Sequence, residues 1–446
     1  MSSLLVRNAH VLATMDGREI EGGGIYIEDG IIVNVGPSDD IPAVADRVVD
    51  LTDHVVLPGL INTHHHLYQT LTRAYPGAQD VGLFDWLRIL YPVWARMTPD
   101  HVRAATRLGL VELALSGTTT AFDHHYLWPN GSRIDDQFEG ADGINIRFVA
   151  SRGSMSLGES DGGLPPDSVV EMPRRILDDT ARAIDEFHDP GPMAMRQVVP
   201  APCSPFSVTG ELMRDTATLA RDRGVRLHTH LAETEDEESF CVEVFGHPPV
   251  AYMETLDWVG PDVWYAHAVH VDADEVDRMG AAGTGVAHCP TSNMRLASGA
   301  APIARYLEAG VPVGLGVDGS ASNDSSNMVD EVRQALLLNR LTGGPGFTAR
   351  QALELATVGG ARVLGRPELG VLAPGMAADF IAIDLDRIGF SGAWHDPVAA
   401  VVLCAPSTVD HSWVGGEPLV EDGRVVGVDQ ESLREAHNLL SRDLAD

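Results

Sequence analysis

Eight short apolar segments, separated by stretches of helical character, occupy the chain between residues 55 and 320. Alternation of strands with helices is typical of parallel βαβ units, and eight such units predict an α/β fold, the (β/α)8 TIM-type barrel. Catalytic residues of these barrels lie at the carboxyl ends of the strands, so the polar residues there are the first candidates for an active site. The predicted strands are 55–64, 118–125, 146–153, 195–204, 226–233, 263–270, 284–292 and 312–319.

The two ends of the chain differ from this middle part. Residues 1–57, and again the segment after about residue 370, contain short β-type runs punctuated by glycine and proline. Such runs predict short strands joined by turns. We therefore expect one small β-sandwich domain, built from both termini, beside the barrel. The predicted organisation assigns 1–57 to its N-terminal part, 58–370 to the barrel and 371–446 to its C-terminal part.

The segment 98–116 carries the signals for both ends of a helix. Thr98 is suited to the N-cap position, and Pro99 is suited to the first helical position because it lacks a backbone N–H. Gly117 is suited to closing the helix, since glycine adopts the left-handed conformation that often follows a last turn. One helix is therefore predicted between these residues.

The first predicted barrel strand ends in the sequence Pro-Gly-Leu-Ile-Asn-Thr-His-His-His, residues 58–66. Alternate residues of a strand point to the same side, so His64 and His66 can reach one metal ion together while His65 points away. At the end of an apolar strand this pattern favours metal ligation over a polar loop that merely contains three histidines.

A second group, His228-Thr-His230-Leu-Ala-Glu233, ends the fifth predicted strand. His230 can add a third imidazole, although His228 shares its strand face and competes for that position. Glu233 lies just beyond the strand, where it can accept a proton from the attacking water. This segment therefore predicts one metal ligand and one general base.

The eighth predicted strand ends in Asp318. A buried carboxylate without a partner is costly, so a metal-ligating role is expected. Three imidazoles and one carboxylate suit zinc, with iron(II) as the alternative under reducing conditions. The sequence has no lysine, and all 31 basic residues are arginine, so no carboxylated lysine can bridge a second metal. We expect one ion per chain, with a glutamate or cysteine bridge as the remaining route to a second ion.

The sixth predicted strand ends in Tyr-Ala-His-Ala-Val-His, residues 265–270. His267 is our candidate for stabilising the attacking hydroxide and the charge that develops in the transition state. His270 is interpreted as a supporting or loop residue, because histidines are more often simply hydrogen-bonded than catalytic.

Taken in order, the His-x-His pair, the His-x-x-Glu segment, the sixth-strand histidine and the eighth-strand aspartate resemble the amidohydrolase superfamily, in its nucleobase and triazine aminohydrolase branch. The resemblance extends over nearly the whole chain and includes Gly-x-Leu-x-Pro-Gly-x-x-Ala-Asp at 370–379. It implies an enzyme that uses a metal to remove an amino group from a heterocycle by hydrolysis. A catalytically inactive scaffold is the contrasting reading, and the base Glu233 beside intact ligands argues against it.

Further details are most similar to the 8-oxoguanine deaminases of that branch. Cys203, in Ala-Pro-Cys-Ser-Pro-Phe, stands where adenosyl-type deaminases carry a histidine, and Gln69 follows the His-x-His pair. The resemblance implies that 8-oxoguanine is converted to urate and ammonia, with Gln69, Trp86 and Cys203 contacting the substrate. An s-triazine amino- or chlorohydrolase, or an isocytosine or pterin deaminase, would use the same site and stays open.

The resemblance also implies how protons move during the reaction. Glu233 would pass the water proton to a ring nitrogen, and His267 would hydrogen-bond the new oxygen. Asp318 would deliver the second proton to the departing ammonia.

The charge balance excludes some partners. With 31 basic and 64 acidic residues, the formal net charge is −33, which repels nucleic acids and anionic membranes. Adaptation to high salt and GC-rich codon usage both explain such a composition.

No apolar run is long enough for a bilayer, and four scattered cysteines indicate a reduced, cytoplasmic setting. The resemblance implies a homo-oligomer that acts on a small heterocyclic molecule.

Overall fold

The computed structural model describes residues 2–445 and contains two β-sheets, of eight and nine strands. In chain order the strands are β1 (Ser3–Ala13), β2 (Glu19–Glu28), β3 (Ile31–Pro37), β4 (Arg47–Asp50), β5 (His54–Pro58), β6 (Leu60–Asn62), β7 (Thr118–Asp123), β8 (Arg147–Ser154), β9 (Arg196–Pro202), β10 (Leu227–Leu231), β11 (Val263–His267), β12 (Gly285–His288), β13 (Val313–Leu315), β14 (Phe380–Asp384), β15 (His411–Val414), β16 (Glu417–Glu421) and β17 (Arg424–Val425).

The helices cover the outside of the barrel and the connections between its strands. In chain order they are α1 (Leu83–Trp94), α2 (Pro99–Leu115), α3 (Ile134–Ala141), α4 (Pro173–Phe187), α5 (Gly210–Arg223), α6 (Glu235–Phe245), α7 (Pro249–Glu254), α8 (Ala273–Ala282), α9 (Pro290–Arg295), α10 (Ile303–Glu308), α11 (Met328–Gly343), α12 (Ala349–Glu354), α13 (Gly360–Leu364), α14 (Pro397–Cys404) and α15 (Gln430–Ala445). The helix predicted over 98–116 is α2, with Thr98 as its N-cap and Gly117 at a φ of 92°.

The eight-stranded sheet confirms the (β/α)8 barrel. Its strands pair in parallel in the order β10–β11–β12–β13–β6–β7–β8–β9. The two ends of this order also meet, because the His230 N–H in β10 donates to the Cys203 carbonyl, just after β9, at 3.1 Å. The carboxyl ends of all the strands therefore surround one mouth, where the polar side chains of the predicted site lie.

The nine-stranded sheet is built from both ends of the chain, as expected. It runs in the order β17–β16–β15–β14–β5–β1–β2–β3, with β4 also pairing with β1. The strands β14 and β5 pair antiparallel where the N-terminal and C-terminal contributions meet. One face forms its own apolar core, which includes the stacked rings of Phe380 and Trp413 at 4.5 Å. We call this unit the terminal sheet.

The predicted barrel strand 55–64 is two strands in the structure. β5 belongs to the terminal sheet and β6 belongs to the barrel, and Gly59 separates them. A Cβ at Gly59 would lie 2.1 Å from Thr119 Oγ1, so only glycine fits this close crossing. The prediction of one continuous strand is therefore wrong. The sequence pattern did not show the division, because β5 is apolar on both faces. Val56 packs into the core of the terminal sheet while Leu57 packs against the barrel, so the hydrophobic pattern contains no break.

The chain returns to the barrel after the terminal sheet. α15 packs against α2 and the 3-10 helix Leu67–Thr72. The Ser441 hydroxyl donates to the Leu71 carbonyl at 2.7 Å. The segment 371–446 therefore contributes a helix beside the mouth as well as strands, and the domain boundaries given above stay a prediction.

A buried ion pair connects the base of the barrel to the terminal sheet. Arg147, at the start of β8, donates from Nε and from a terminal nitrogen to the two carboxylate oxygens of Asp379, at 2.6 and 2.9 Å. Both side chains are almost completely buried.

None of the helices in the described part of the chain has the length and apolar character to cross a bilayer.

Candidate metal centre and active site

The mouth of the barrel contains a cavity of about 390 Å³. Eight of the nine predicted site residues line it, and His64 is the ninth. His64 is completely buried beneath the cavity floor, with its ring centroid 4.7 Å from that of His66 and 4.9 Å from that of His230. The folding of the barrel thus brings together residues that are more than 250 positions apart in the sequence.

The hydrogen bonds of His66 and His230 define which ring nitrogen carries the proton. His66 Nδ1 donates to the His124 carbonyl at 2.6 Å, and His230 Nδ1 donates to the Cys203 carbonyl at 2.7 Å. Because a carbonyl only accepts, both Nδ1 atoms carry hydrogen, and in neutral rings both Nε2 atoms present a lone pair. These two Nε2 atoms lie 3.0 Å apart and face each other.

His64 is oriented by a relay of hydrogen bonds. His228 Nδ1 donates to the Trp264 carbonyl at 3.0 Å, so its Nε2 must accept from His64 Nδ1, which lies 2.9 Å away. His64 Nε2 is then a lone pair as well. It is buried and has no hydrogen-bond partner among residues 2–445. His228 therefore supports His64 from behind, and both of its ring nitrogens have hydrogen-bond partners.

Three imidazole lone pairs thus lie close together, and two of them lie against the carboxylate of Asp318. His64 Nε2 and His66 Nε2 each lie 3.3 Å from Asp318 Oδ1. Protonation of these rings is unfavourable, because burial lowers the pKa of His64 to about 3 and that of His230 well below its ordinary value. Facing lone pairs beside a carboxylate suit a divalent cation, so the residues present fit a metal ion.

The remaining histidines of the region have other positions. His124 Nε2 donates to the Ala201 carbonyl at 2.8 Å, and its ring stacks on that of His230. It belongs to the same cluster of potential ligand atoms as His64, His66 and His230. His65 points away from the cavity, as predicted, and its Nε2 lies 2.9 Å from Ser326 Oγ.

Glu233 is held beside the cluster by a second glutamate. The two carboxylate oxygens of Glu237 accept the backbone N–H groups of Ala232 and Glu233, at 2.9 and 3.0 Å. Burial, and next the charge of Asp318, raise the pKa of Glu233 to about 8. Such a group can hold or release a proton near neutral pH, which suits a general acid–base residue. We did not predict Glu237, although Thr-x-x-Glu at 234–237 is a helix-start pattern.

His267 and Asp318 complete the mouth opposite Glu233. His267 Nε2 lies 3.4 Å from Glu233 Oε2, and its Nδ1 lies 2.9 Å from Asn293 Oδ1. The Asp318 N–H donates to the His64 carbonyl at 3.1 Å, which ties the end of the eighth barrel strand to the end of the first. Asn293 is a second residue that sequence reasoning missed, since no spacing links it to His267.

The three predicted substrate contacts line the same cavity. Gln69 Oε1 accepts the Ala321 N–H at 3.2 Å, and Trp86 Nε1 donates to the Ala321 carbonyl at 3.1 Å. A Cβ at Gly319 would lie 1.9 Å from Gln69 Oε1, so the glycine is needed for this packing. Burial raises the pKa of the Cys203 thiol to about 12, which keeps the thiol protonated and argues against a nucleophilic role.

Comparisons with known proteins identify the family of the chain. A model of the amidohydrolase family matches residues 55–419. The chain is 50% identical over 441 residues to the 8-oxoguanine deaminase of Pseudomonas aeruginosa, covering 98% of each chain. It is 39% identical over 463 residues to the hydroxydechloroatrazine ethylaminohydrolase of Pseudomonas sp. strain ADP, covering 98% of this chain and 94% of the relative. Among solved structures, the atrazine chlorohydrolase of Arthrobacter aurescens complexed with zinc has a TM-score of 0.93 at 34% identity, covering 99% of this chain and 100% of that chain.

Proposed function

This chain belongs to the amidohydrolase family of metal-dependent hydrolases, and we propose that it removes the amino group of 8-oxoguanine by hydrolysis, giving urate and ammonia. The observation that carries the proposal is the arrangement at the mouth. A buried carboxyl group with a pKa near 8 lies beside three converging imidazoles and a carboxylate. The chain is 50% identical to an enzyme named for 8-oxoguanine, over nearly the full length of both proteins. This similarity supports 8-oxoguanine as the substrate.

We propose a single zinc ion per chain, held by His64, His66, His230 and Asp318, with iron(II) as the alternative. When bound, the ion supplies a water molecule whose pKa is lowered toward about 7, and thus a nucleophile at neutral pH. The absence of lysine from the sequence supports one ion, because no carboxylated lysine is available to hold a second. Metal analysis that finds two tightly bound ions per chain would contradict this.

The side chains at the mouth suit the proton transfers of a deamination. Glu233 takes a proton from the attacking water and transfers it to the ring nitrogen beside the reacting carbon. His267, 3.4 Å from Glu233, hydrogen-bonds the oxygen that has been added. Asp318 accepts the second proton of the water and delivers it to the amino group, which leaves as ammonia. The oxygen of the water thereby becomes the new carbonyl oxygen, and its two hydrogens are the two protons that are transferred.

Gln69, Trp86 and Cys203 are proposed to bind the ring. An amide can pair with a lactam edge, and an indole offers a flat apolar surface to a heterocycle. Because Gln69 and Trp86 are both hydrogen-bonded to Ala321, they are held rigidly, which favours discrimination between similar rings.

An ammonia-release assay tests the proposed function. The purified, metal-loaded protein should release ammonia from 8-oxoguanine far faster than from guanine, adenosine or cytosine. A polar site rejects analogues that leave its buried groups unpaired by about 10⁴-fold or more. Isocytosine, isoxanthopterin and amino-triazines complete the panel.

A triazine hydrolase is the second candidate, since two of the similar proteins described above are named for triazines. If the protein ignores 8-oxoguanine and turns over an amino- or chloro-triazine, the substrate proposal is wrong while the metal proposal stands.

We also propose that the chain acts as a homo-oligomer in the cytoplasm. All four cysteines are free, and three of them are buried, as expected for a reducing compartment. A monomer in multi-angle light scattering would contradict the first part, and localisation of the tagged protein outside the cytoplasm would contradict the second.

A further inference from the structure

One wall of the cavity is formed by a single helix face. In α1, both Trp86 and Leu87 follow Leu83 by three or four residues, and Tyr91 follows Leu87 by four. These four residues therefore lie on one side of the helix, and all of them line the cavity. Glu233 and Asp318, which are proposed to move protons, come instead from the ends of barrel strands. The α1 face of the cavity is therefore available to an edge of a bound ring that does not carry the reacting carbon.

Among the polar side-chain atoms of this face, the Tyr91 hydroxyl lacks a hydrogen-bond partner within the described residues. Two of the four α1 side chains that line the cavity are leucines, and the Trp86 N–H already donates to the Ala321 carbonyl. Tyr91 is completely buried, and its hydroxyl has no hydrogen-bond partner within residues 2–445.

A buried hydroxyl without a partner is unfavourable, and a bound molecule that pairs with it removes this penalty. A phenol both donates and accepts, so it matches a ring edge where a carbonyl and an N–H are adjacent. The five-membered ring of 8-oxoguanine has such an edge, guanine lacks the carbonyl there, and isocytosine has only one ring.

We propose that the Tyr91 hydroxyl hydrogen-bonds the edge of the substrate farthest from the reacting carbon, and that it selects two-ring heterocycles with a carbonyl beside an N–H at that edge. The inference rests on the proposed function, because it requires that an amino-heterocycle is the substrate. It deepens that function by assigning the discrimination between 8-oxoguanine and smaller or less oxygenated rings to one atom.

The variant Tyr91→Phe removes this atom and keeps the ring. We expect its KM for 8-oxoguanine to rise about 10–100-fold with kcat within about 2-fold of wild type, since the contact is made before and during the reaction alike. For isocytosine, which lacks the second ring and its carbonyl, both constants should stay unchanged.

Tyr68→Phe is the matched control. Tyr68 is equally buried and its hydroxyl also has no partner among the described residues, but it does not line the cavity. This variant should retain the wild-type KM for both compounds. Thermal melting and metal content, measured for both variants, establish that each is folded and loaded.

The outcomes separate the two proposals. If wild type turns over 8-oxoguanine but Tyr91→Phe has an unchanged KM, the role of Tyr91 is wrong and the proposed function stands. An equal loss on 8-oxoguanine and isocytosine would also contradict selection at the far edge. A wild type that acts only on one-ring compounds would overturn both, and the wild-type measurements alone reveal it.

Discussion

The terminal sheet and the mouth of the barrel both contain residues with left-handed backbone conformations, but the residue types differ. In the terminal sheet they include Asn8, Asp29 and Asp53, with φ of 61°, 48° and 66°. At the mouth they are Ala232, His267, Ala268 and Asp318, with φ of 53°, 69°, 46° and 62°. Short polar side chains, including Asp318 at the mouth, tolerate this conformation, whereas alanine gains nothing from it locally.

Tertiary contacts hold the unfavourable residues at the mouth in place. The Ala268 N–H donates to the Leu231 carbonyl at 3.0 Å, and the Tyr306 hydroxyl donates to the Ala268 carbonyl at 2.6 Å. Left-handed residues of this kind cost about 1 kcal/mol or more each, and they concentrate at functional sites. The alanines at the mouth therefore cost it some stability, whereas the left-handed residues of the terminal sheet are mostly short and polar, with Met15 at φ 60° as an exception.

Buried charge follows the same division. Arg147 and Asp379, between the barrel base and the terminal sheet, neutralise each other through two hydrogen bonds. At the mouth, burial raises the pKa of Glu233 to about 8, and in α11 it raises that of Glu331 to about 8. One region pairs its charges, and the other keeps carboxyl groups that can exchange protons near neutral pH.

The largest effect is expected from removing a ligand at the mouth. His230→Ala should abolish activity and metal binding, because it removes one of three converging lone pairs. The loss of metal affinity should exceed the roughly 10–100-fold that accompanies loss of a ligand's outer partner. The control His411→Ala, in the terminal sheet, should keep both properties. Metal analysis and ammonia release measure the difference, and a metal-loaded, active His230→Ala would remove His230 from the ligand set.

Glu233→Gln should separate activity from stability. We expect the variant to keep its metal and to lose a factor of about 10²–10⁴ in rate, the usual contribution of general acid–base catalysis. At pH 8 and above it should also unfold at a higher temperature, because a neutral amide replaces a buried carboxyl group that must ionise. Near-normal turnover with bound metal would assign the proton transfer to another group.

Arg147→Ala should have the opposite profile. It leaves Asp379 buried without its cation, which costs about 3–5 kcal/mol in the free energy of unfolding, while kcat of the folded fraction stays close to wild type. Denaturant titration and steady-state kinetics measure the two quantities. The double variant Arg147→Met with Asp379→Leu should recover most of the stability, since no charge is left unpaired. A large fall in kcat without loss of stability would break the proposed division between the regions.

The smallest effect is a pH dependence of stability due to Glu331. Burial raises its pKa from 4.5 to about 8 in the folded chain, so the unfolded chain releases this proton at lower pH than the folded chain does. The free energy of unfolding should therefore fall as pH rises from about 5 to about 8, and then level off. Denaturant titrations across this range should show a shallower fall for Glu331→Gln. An identical slope in the variant would mean that other groups cause the dependence.

The sequence alone determined the features that depend on neighbouring residues. The ends of α2 follow from Thr98, Pro99 and Gly117, because caps act within one turn of a helix. The opposite directions of His65 and its neighbours His64 and His66 follow from the alternation of an extended chain. The barrel follows from repeated strand and helix patterns, which also predict the edge of the sheet at which functional side chains gather.

Only the tertiary structure decided the features that depend on distant residues. The segment 55–64 divides at Gly59 because its first part joins the terminal sheet and its second part joins the barrel. An apolar pattern cannot reveal this division. Glu237 and Asn293 hold Glu233 and His267 through contacts that no spacing encodes. The choice between His228 and His230 was also open in the sequence, since both share one strand face. In the structure both ring nitrogens of His228 are hydrogen-bonded, to a carbonyl from β11 and to His64, while His230 Nε2 faces His66, which favours His230 as the proposed ligand.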